Sequence, residues 1–238
     1  MDITHINKHL EEKGVKILPW IGKDYECGLS FDDSSKLQLG VSKDGGSKVL
    51  VLGECIYSES EDKDSDENEK DGLLTSTIEI LKDYLNADPR FNVTVRAYRK
   101  FERSLSAFET QNISSSNLWN HLAYYTYVQK PIASQRHNPN YKDYEDSEHA
   151  FFQVLTDLKP NVVIVWGNRL YSNLPDSNKE MDFIGSKGKD ISFDGFTIPS
   201  WIYKLSNVSI HVFPVYHPAS GYAWNSWHKV IVEEFKNK

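Results

Sequence analysis

The sequence predicts a three-layer α/β/α sandwich around a mostly parallel central sheet. Continuous runs of Val, Ile and Leu are typical of strands that are buried on both faces, as in parallel sheets. Such runs occur at 48–53 and 161–167, and a more alternating run covers 208–215. Amphipathic helical patterns lie between these runs, and strands that alternate with helices imply right-handed crossovers.

Helices are predicted where apolar residues recur three or four positions apart, because such residues share one helix face. A short helix is expected within 1–13, and Ser76 with Glu79 has capping-box spacing. Pro160 ends another helix, since the residue before proline avoids the helical conformation. The three longer apolar faces consist of Leu74, Ile78, Leu81 and Leu85, of Phe151, Phe152, Leu155 and Leu158, and of Trp224, Trp227, Val230, Ile231 and Phe235.

Two further segments carry weaker patterns. The residues at 91–95 are a candidate strand, and 172–198, rich in Ser, Gly, Asp and Lys, is expected to be an irregular surface excursion. No internal repeat and no Pro- or Gly-rich linker divides the chain. A single domain covering 1–238 is therefore expected.

The composition excludes several classes of protein. The two cysteines are too few for a disulfide scaffold or a multi-cysteine zinc site, and they fit a reducing, cytoplasmic setting. No apolar run approaches the roughly 20 residues of a membrane span. The polar segment 1–13 does not have the pattern of a secretory signal. We therefore expect a cytoplasmic protein with no cofactor, metal or membrane partner, and a monomer is favoured.

The net charge of −7 is concentrated in one segment. Residues 58–71 hold eight acids and two lysines, which leaves a net charge of −1 for the other 224 residues. This segment has no apolar residue and is expected to be a mobile loop. Arg96, Arg99 and Lys100 lie in a basic stretch with interleaved aromatic residues, which suits contact with phosphates and bases. The acidic total therefore does not exclude a DNA partner.

Three segments are expected at the carboxyl ends of the strands, where ligands bind in such sheets. Glu54 follows the first apolar run, and partial burial there would raise its pKa into the range of a general base. His217 follows the last run, and an imidazole there can donate to an anionic leaving group. The third segment is 166–169.

The segments that contain Glu54 and His217 resemble motifs of the uracil-DNA glycosylase superfamily. Residues 53–57 read GECIY, where the superfamily typically has Gly-Gln-Asp-Pro-Tyr or Gly-Glu-Ala-Pro-Gly. Residues 217–220 read HPAS, where it typically has His-Pro-Ser-Pro. The segments 118–129 and 162–167 resemble its middle segment and third strand, so the resemblance runs over most of 46–235.

The resemblance implies a DNA glycosylase that hydrolyses the N-glycosidic bond of a flipped-out base and leaves an abasic site. It implies that Glu54 positions or activates the water and that His217 stabilises the base as it leaves as an anion. The implied base pocket consists of Gly53, Cys55, Tyr57, Asn120 and Thr126, and the loop that presses on DNA of Pro218, Ala219, Ser220 and Gly221.

Departures from these motifs favour a base other than uracil. Cys55 stands where an aspartate is usual, so Glu54 has to act as the base. Thr126 stands where relatives carry the asparagine that reads uracil, and a hydroxyl cannot make the paired contacts of an amide. Asn120 is the candidate substitute. A modified pyrimidine, such as those that some viruses place in their DNA, is expected in preference to uracil, in an antiviral role.

Two other classes of function stay open. A non-catalytic protein that binds DNA or a nucleotide could use the same cleft, and Cys55 at the aspartate position favours it. An unrelated α/β hydrolase or nucleotide-binding enzyme is disfavoured, since the chain has neither a Gly-x-Ser-x-Gly elbow nor a Gly-rich phosphate loop.

Overall fold

The computed structural model describes residues 2–40, 46–57, 67–86, 93–107, 113–134, 137–193 and 195–236. The helices are α1 (Ile3–Glu12), α2 (Glu67–Asn86), α3 (Val93–Ser106), α4 (Ser115–Asn120), α5 (Tyr141–Glu145), α6 (Glu148–Leu158), α7 (Asn168–Ser172) and α8 (Trp224–Lys236). The strands are β1 (Trp20–Ile21), β2 (Leu29–Phe31), β3 (Leu37–Leu39), β4 (Val49–Gly53), β5 (Leu122–Thr126), β6 (Val162–Trp166), β7 (Ile184–Lys187), β8 (Ile191–Phe193), β9 (Phe196–Ile198), β10 (Trp201–Leu205) and β11 (Val208–Val215).

Seven strands form the central sheet, in the order β1-β5-β4-β6-β11-β10-β7. The four central strands β5, β4, β6 and β11 run parallel, and β1, β10 and β7 pair antiparallel at the edges. Every residue of β4, β5 and β6 is buried, because both faces of these strands are covered. The predicted α/β class with a mostly parallel central sheet is confirmed.

Two apolar clusters cover the opposite faces of this sheet. Alternate residues of β4 belong to different clusters, Leu50 and Leu52 to one and Val49 and Val51 to the other, as the pleat of a strand requires. The first cluster includes the apolar faces of α1 and α6, and the second includes those of α3 and α8. The arrangement of helices on both sheet faces is consistent with an α/β sandwich.

The order of the parallel strands creates a crevice at their carboxyl ends. β4 comes first along the chain, yet it lies between the second parallel strand, β5, and the third, β6. The chain therefore leaves β4 and β6 toward different sides, which makes the gap between them a topological switch point. In open α/β sheets ligands bind outside the carboxyl ends of the strands at such a point.

Most of the predicted elements are confirmed. The apolar runs form β4, β6 and β11, and the amphipathic patterns form α1, α2, α6 and α8. Ser76 and Glu79 lie inside α2, so the predicted capping box is wrong, and the Ser76 hydroxyl donates to the Leu73 carbonyl at 2.8 Å. The loop expected over 58–71 is wrong for 67–71, which begin α2, and 58–66 lie outside the described residues.

Two segment predictions are wrong. The candidate strand at 91–95 is the start of α3 from Val93 onward, and 91–92 lie outside the described residues. The expected irregular excursion at 172–198 contains β7, which extends the central sheet, and a hairpin of β8 and β9. No helix in the described part of the chain combines the length and apolar character needed to cross a bilayer.

Candidate active site

Glu54 lies at the crevice because β4 ends at Gly53. A Cβ atom at Gly53 would lie 2.3 Å from the Tyr124 hydroxyl, so any side chain at this position would force Tyr124 to shift. The chain then continues beside the segment that follows β5. The Tyr127 amide donates to the Gly53 carbonyl at 2.9 Å, and the Val128 amide to the Glu54 carbonyl at 2.8 Å. The backbone of Glu54 is thereby fixed at the carboxyl edge.

The Glu54 carboxylate accepts hydrogen bonds from two other segments. Arg169 donates from Nε to Oε1 at 2.8 Å and from a terminal nitrogen to Oε2, and the Tyr144 hydroxyl donates to Oε1 at 2.7 Å. The other terminal nitrogen of Arg169 donates to Asn138. This bidentate pair is the stronger kind of ion pair, and it joins the ends of β4 and β6 to the segment around α5.

These partners decide the protonation state of Glu54. Burial raises the pKa of the carboxyl, but the hydrogen bonds from Arg169 and Tyr144, with the positive charge of Arg169, outweigh it and hold the pKa below its usual value. The prediction that burial raises this pKa into the range of a general base is therefore wrong. Glu54 is ionised at neutral pH, and its hydrogen bond and charge raise the pKa of Arg169.

His217 lies two residues past the end of β11. Its ring makes an edge contact with Trp166 at the end of β6, with centroids 5.9 Å apart. The Ala219 amide donates to His217 Nδ1 at 3.2 Å, which leaves Nε2 to carry the proton of the neutral ring. Desolvation lowers the pKa of His217, and the negative charge of Glu54 opposes this only in part. The neutral imidazole therefore presents an N–H donor.

Glu54 and His217 lie close enough for each to act on the other. The charge of Glu54 raises the pKa of His217, and His217 in turn helps to lower the pKa of Glu54. Arg169 lowers the pKa of His217 as well. The structure therefore brings together the two predicted catalytic residues, and Arg169 with them.

The loop that follows His217 is a tight turn. The Ser220 amide and hydroxyl both donate to the His217 carbonyl, at 2.9 and 2.8 Å. Pro218 is buried, whereas Ala219, Ser220 and Gly221 are exposed. The residues predicted to press on DNA thus form a short exposed projection held by backbone hydrogen bonds.

Cys55 and Tyr57 follow Glu54, and each of these side chains influences the pKa of the other. Burial raises the pKa of the Cys55 thiol to about 11. Burial and the contact with Cys55 raise the pKa of Tyr57 to about 12. Both side chains are therefore neutral at pH 7, and Cys55 does not supply the base that an aspartate would.

Thr126 and Asn120 do not share a pocket. Thr126 ends β5 in register with Gly53, but it is buried, and its hydroxyl lies 3.0 Å from that of Thr77 on α2. Asn120 ends α4, directly before the amino end of β5. The five residues of β5 span about 16 Å, so Asn120 lies at the amino ends of the strands, away from the crevice. The structure therefore separates Asn120 from the other predicted pocket residues.

The basic residues of α3 lie outside the cluster of hydrogen bonds around Glu54. Arg96 and Arg99 are exposed and Lys100 is partly buried, while Tyr98 between them packs against Trp166 with centroids 5.3 Å apart. Within the described chain, no hydrogen bond or ion pair joins these three cations to the cluster around Glu54. The structure therefore does not bring these cations into the hydrogen-bonded cluster of Glu54.

Three residues of the site were not predicted as site residues. Arg169 lies in the segment 166–169, and the position of that segment after β6 was the signal that could have identified it. Tyr144 and Asn138 lie between β5 and α6, where no strand end draws attention to them. Their role follows only from their contacts in the folded chain.

Two cavities of the molecule lie away from Glu54. One of about 400 Å³ is lined in part by Lys189, Phe193 and Lys229, and one of about 350 Å³ in part by His9 and Asp157. Among the described residues, no group of three or more His, Cys, Asp or Glu side chains is placed to hold a metal ion. The candidate active site is thus built from paired charges and lies outside both cavities.

The fold and this crevice define an α/β protein with a polar site at the switch point of its sheet. No protein-family model matches the chain, and the comparison with curated proteins found no match. Its function is therefore argued from the chemistry of the site and from the two motifs that form it.

Proposed function

We propose that this chain is a DNA glycosylase that hydrolyses the N-glycosidic bond of a flipped-out base and leaves an abasic site. The observation that supports this most directly is the proximity of an ionised Glu54 and a neutral His217 at one carboxyl edge. Each of these two groups suits one of the two charges that develop when the bond breaks.

The carboxylate suits the sugar. When the bond between C1′ and the base nitrogen breaks, its electron pair leaves with the base and the sugar becomes an oxocarbenium-like cation. A fixed negative charge stabilises that cation, and the low pKa of Glu54 keeps the charge in place at neutral pH. Glu54 can orient the water that adds to C1′, and the proton that this water loses ends on the departed base anion.

The imidazole suits the base. The departing base carries the electron pair and is therefore an anion, which an N–H donor stabilises. The Ala219 amide occupies Nδ1 of His217, so Nε2 carries the proton that can point toward a ligand. A neutral donor also avoids a competing ion pair between His217 and Glu54.

The surroundings of Thr126 support a base other than uracil. Its hydroxyl is buried against Thr77, and Asn120 lies at the amino ends of the strands. Neither position therefore offers the amide that the resemblance implies for uracil. A modified pyrimidine of viral DNA is the substrate that we favour, in a role in antiviral defence.

The test uses oligonucleotides that carry uracil, hydroxymethylcytosine or glucosylated hydroxymethylcytosine, each as single strand and duplex. Alkaline cleavage detects abasic sites, and mass spectrometry identifies the released base. We expect release of a modified cytosine, with loss of release in Glu54→Gln and His217→Ala. Release of uracil alone would contradict the choice of substrate, and no release from any substrate would contradict the proposed activity.

A second candidate function is supported by the same ion pair. Both oxygens of Glu54 are occupied by Arg169 and Tyr144, and the Cys55 thiol is protonated. A crevice without a free base suits a protein that binds DNA or a nucleotide without cleaving it. Binding to the same oligonucleotides with no base release, and with affinity unchanged in Glu54→Gln, would favour this second function.

A further inference from the structure

Exposed tyrosines surround the candidate active site. Within the described ranges, the large apolar or aromatic side chains that are exposed are Tyr57, Tyr141, Ile184, Phe196 and Tyr216. The three tyrosines expose 39, 76 and 47% of their surface. All three belong to segments that form the carboxyl edge around Glu54, whereas Ile184 and Phe196 lie on β7 and β9.

Tyr141 and Tyr216 lie on opposite sides of the crevice. Tyr141 is one turn before Tyr144 on α5, and residues three apart are neighbours on a helix surface. Tyr144 belongs to the apolar cluster of one sheet face and donates to Glu54. Tyr216 directly precedes His217, and its ring contacts Trp227 of the other cluster, with centroids 5.1 Å apart. The two tyrosines therefore belong to segments that reach the site from opposite layers of helices.

Two cations of this edge, Arg169 and Lys130, are already paired within the protein. Arg169 binds Glu54 through both nitrogens of its fork, and Lys130 lies 2.5 Å from a carboxylate oxygen of the buried Asp143. Binding to the phosphates of a duplex depends on Lys and Arg that are free to replace counterions. Aromatic rings instead bind through the faces of bases, and only unpaired bases offer those faces. The edge is thus better suited to bases than to phosphates.

We propose that Tyr141 and Tyr216 stack on unpaired bases beside the flipped nucleotide, so that the ligand of this edge is an unpaired DNA strand. The inference rests on the proposed function and names the form of DNA that the site takes.

The test measures binding and base release separately. Fluorescence anisotropy follows a labelled single-stranded oligonucleotide of mixed sequence and the duplex of the same sequence, with wild type, Tyr141→Ser and Tyr216→Ser. We expect tighter binding of the single strand, a shallow dependence on salt, and a loss of about tenfold in affinity for each serine variant. Tyr141→Phe and Tyr216→Phe retain the ring and are expected to bind like wild type.

Phe196→Ser is the matched control, because it removes an equally exposed aromatic ring far from the crevice. Duplex binding as tight as single-strand binding, or serine variants with wild-type affinity, would overturn the proposal. Serine variants that bind the oligonucleotide unchanged but no longer self-associate would also overturn the proposal. The exposed rings would then serve a contact between copies of the chain. If binding depends on the tyrosines but no base is released, only the proposed activity is contradicted. If base is released equally by wild type and both serine variants, only the stacking proposal is contradicted.

Discussion

Glu54 and Arg169 form a bidentate ion pair across the switch point of the sheet, where β4 and β6 end side by side. The side chain of Glu54 is 11% exposed and that of Arg169 is 45% exposed, so the carboxylate is enclosed and the guanidinium is accessible. The carboxylate is therefore shielded from solvent, and the hydrogen bonds from Arg169 help to keep it ionised.

Because of this ion pair, the pKa of Glu54 should change when Arg169 is replaced. Replacing Arg169 by Gln removes two hydrogen bonds and a positive charge, so the pKa of the Glu54 carboxyl should rise. Carboxyl-carbon NMR against pH measures it directly. Arg169→Lys keeps the charge but loses the fork and should give an intermediate value, and Tyr144→Phe should also raise the pKa. An unchanged pKa in Arg169→Gln would mean that the pair does not form in solution.

The same pair predicts a stability change with pH. The folded state holds the pKa of Glu54 below its unfolded value, so its contribution is present above the unfolded pKa and is lost as pH falls through the folded pKa. Because Arg169 is partly exposed, we expect Arg169→Gln to cost about 1 kcal/mol at pH 7. Urea unfolding at pH 7 and pH 3 should show this difference shrinking at pH 3. A difference that persists at pH 3 would contradict the electrostatic explanation.

The chain order and the strand ends of this site could be predicted from sequence, but its contacts could not. β4 and β6 carry apolar residues at every position, so their burial, and the meeting of Glu54 with 166–169 at one edge, follow from the pattern. The pairing of Glu54 with Arg169 joins residues 115 positions apart and depends on rotamers that no periodicity encodes.

The errors have physical causes as well. β5 reads LAYYT and was not recognised as a strand, because its aromatic and polar residues lack the continuous aliphatic run of its neighbours. Asn120 is close to Thr126 in sequence. An extended strand advances about 3.3 Å per residue, however, so the two residues lie at opposite ends of β5. The pKa of Glu54 was predicted from burial alone, whereas its hydrogen bonds decide the direction.

Substitution of Gly53 should cause a steric clash with Tyr124, and a second substitution at Tyr124 should relieve it. A Cβ at this position would lie 2.3 Å from the Tyr124 hydroxyl, so Gly53→Ala should destabilise the fold by about 1–3 kcal/mol. Tyr124→Phe removes that hydroxyl oxygen, and the double variant should recover part of the loss. Thermal or urea unfolding of the two single variants and the double variant measures the coupling. Purely additive losses would mean that the contact with Tyr124 is not the cause.

Each of His217 and Glu54 is expected to change the pKa of the other. Desolvation lowers the pKa of His217, so its ring should titrate below 6.5, which NMR of the imidazole carbon-bound protons can follow. Glu54→Gln removes the negative charge that raises this pKa, so the pKa of His217 should fall further in that variant. Arg169→Lys is the control, because it keeps the positive charge near both groups and should shift the His217 titration less. If Glu54→Gln left the titration unchanged, the two groups would be too far apart to act on one nucleotide, and the proposed division of roles between carboxylate and imidazole would fail.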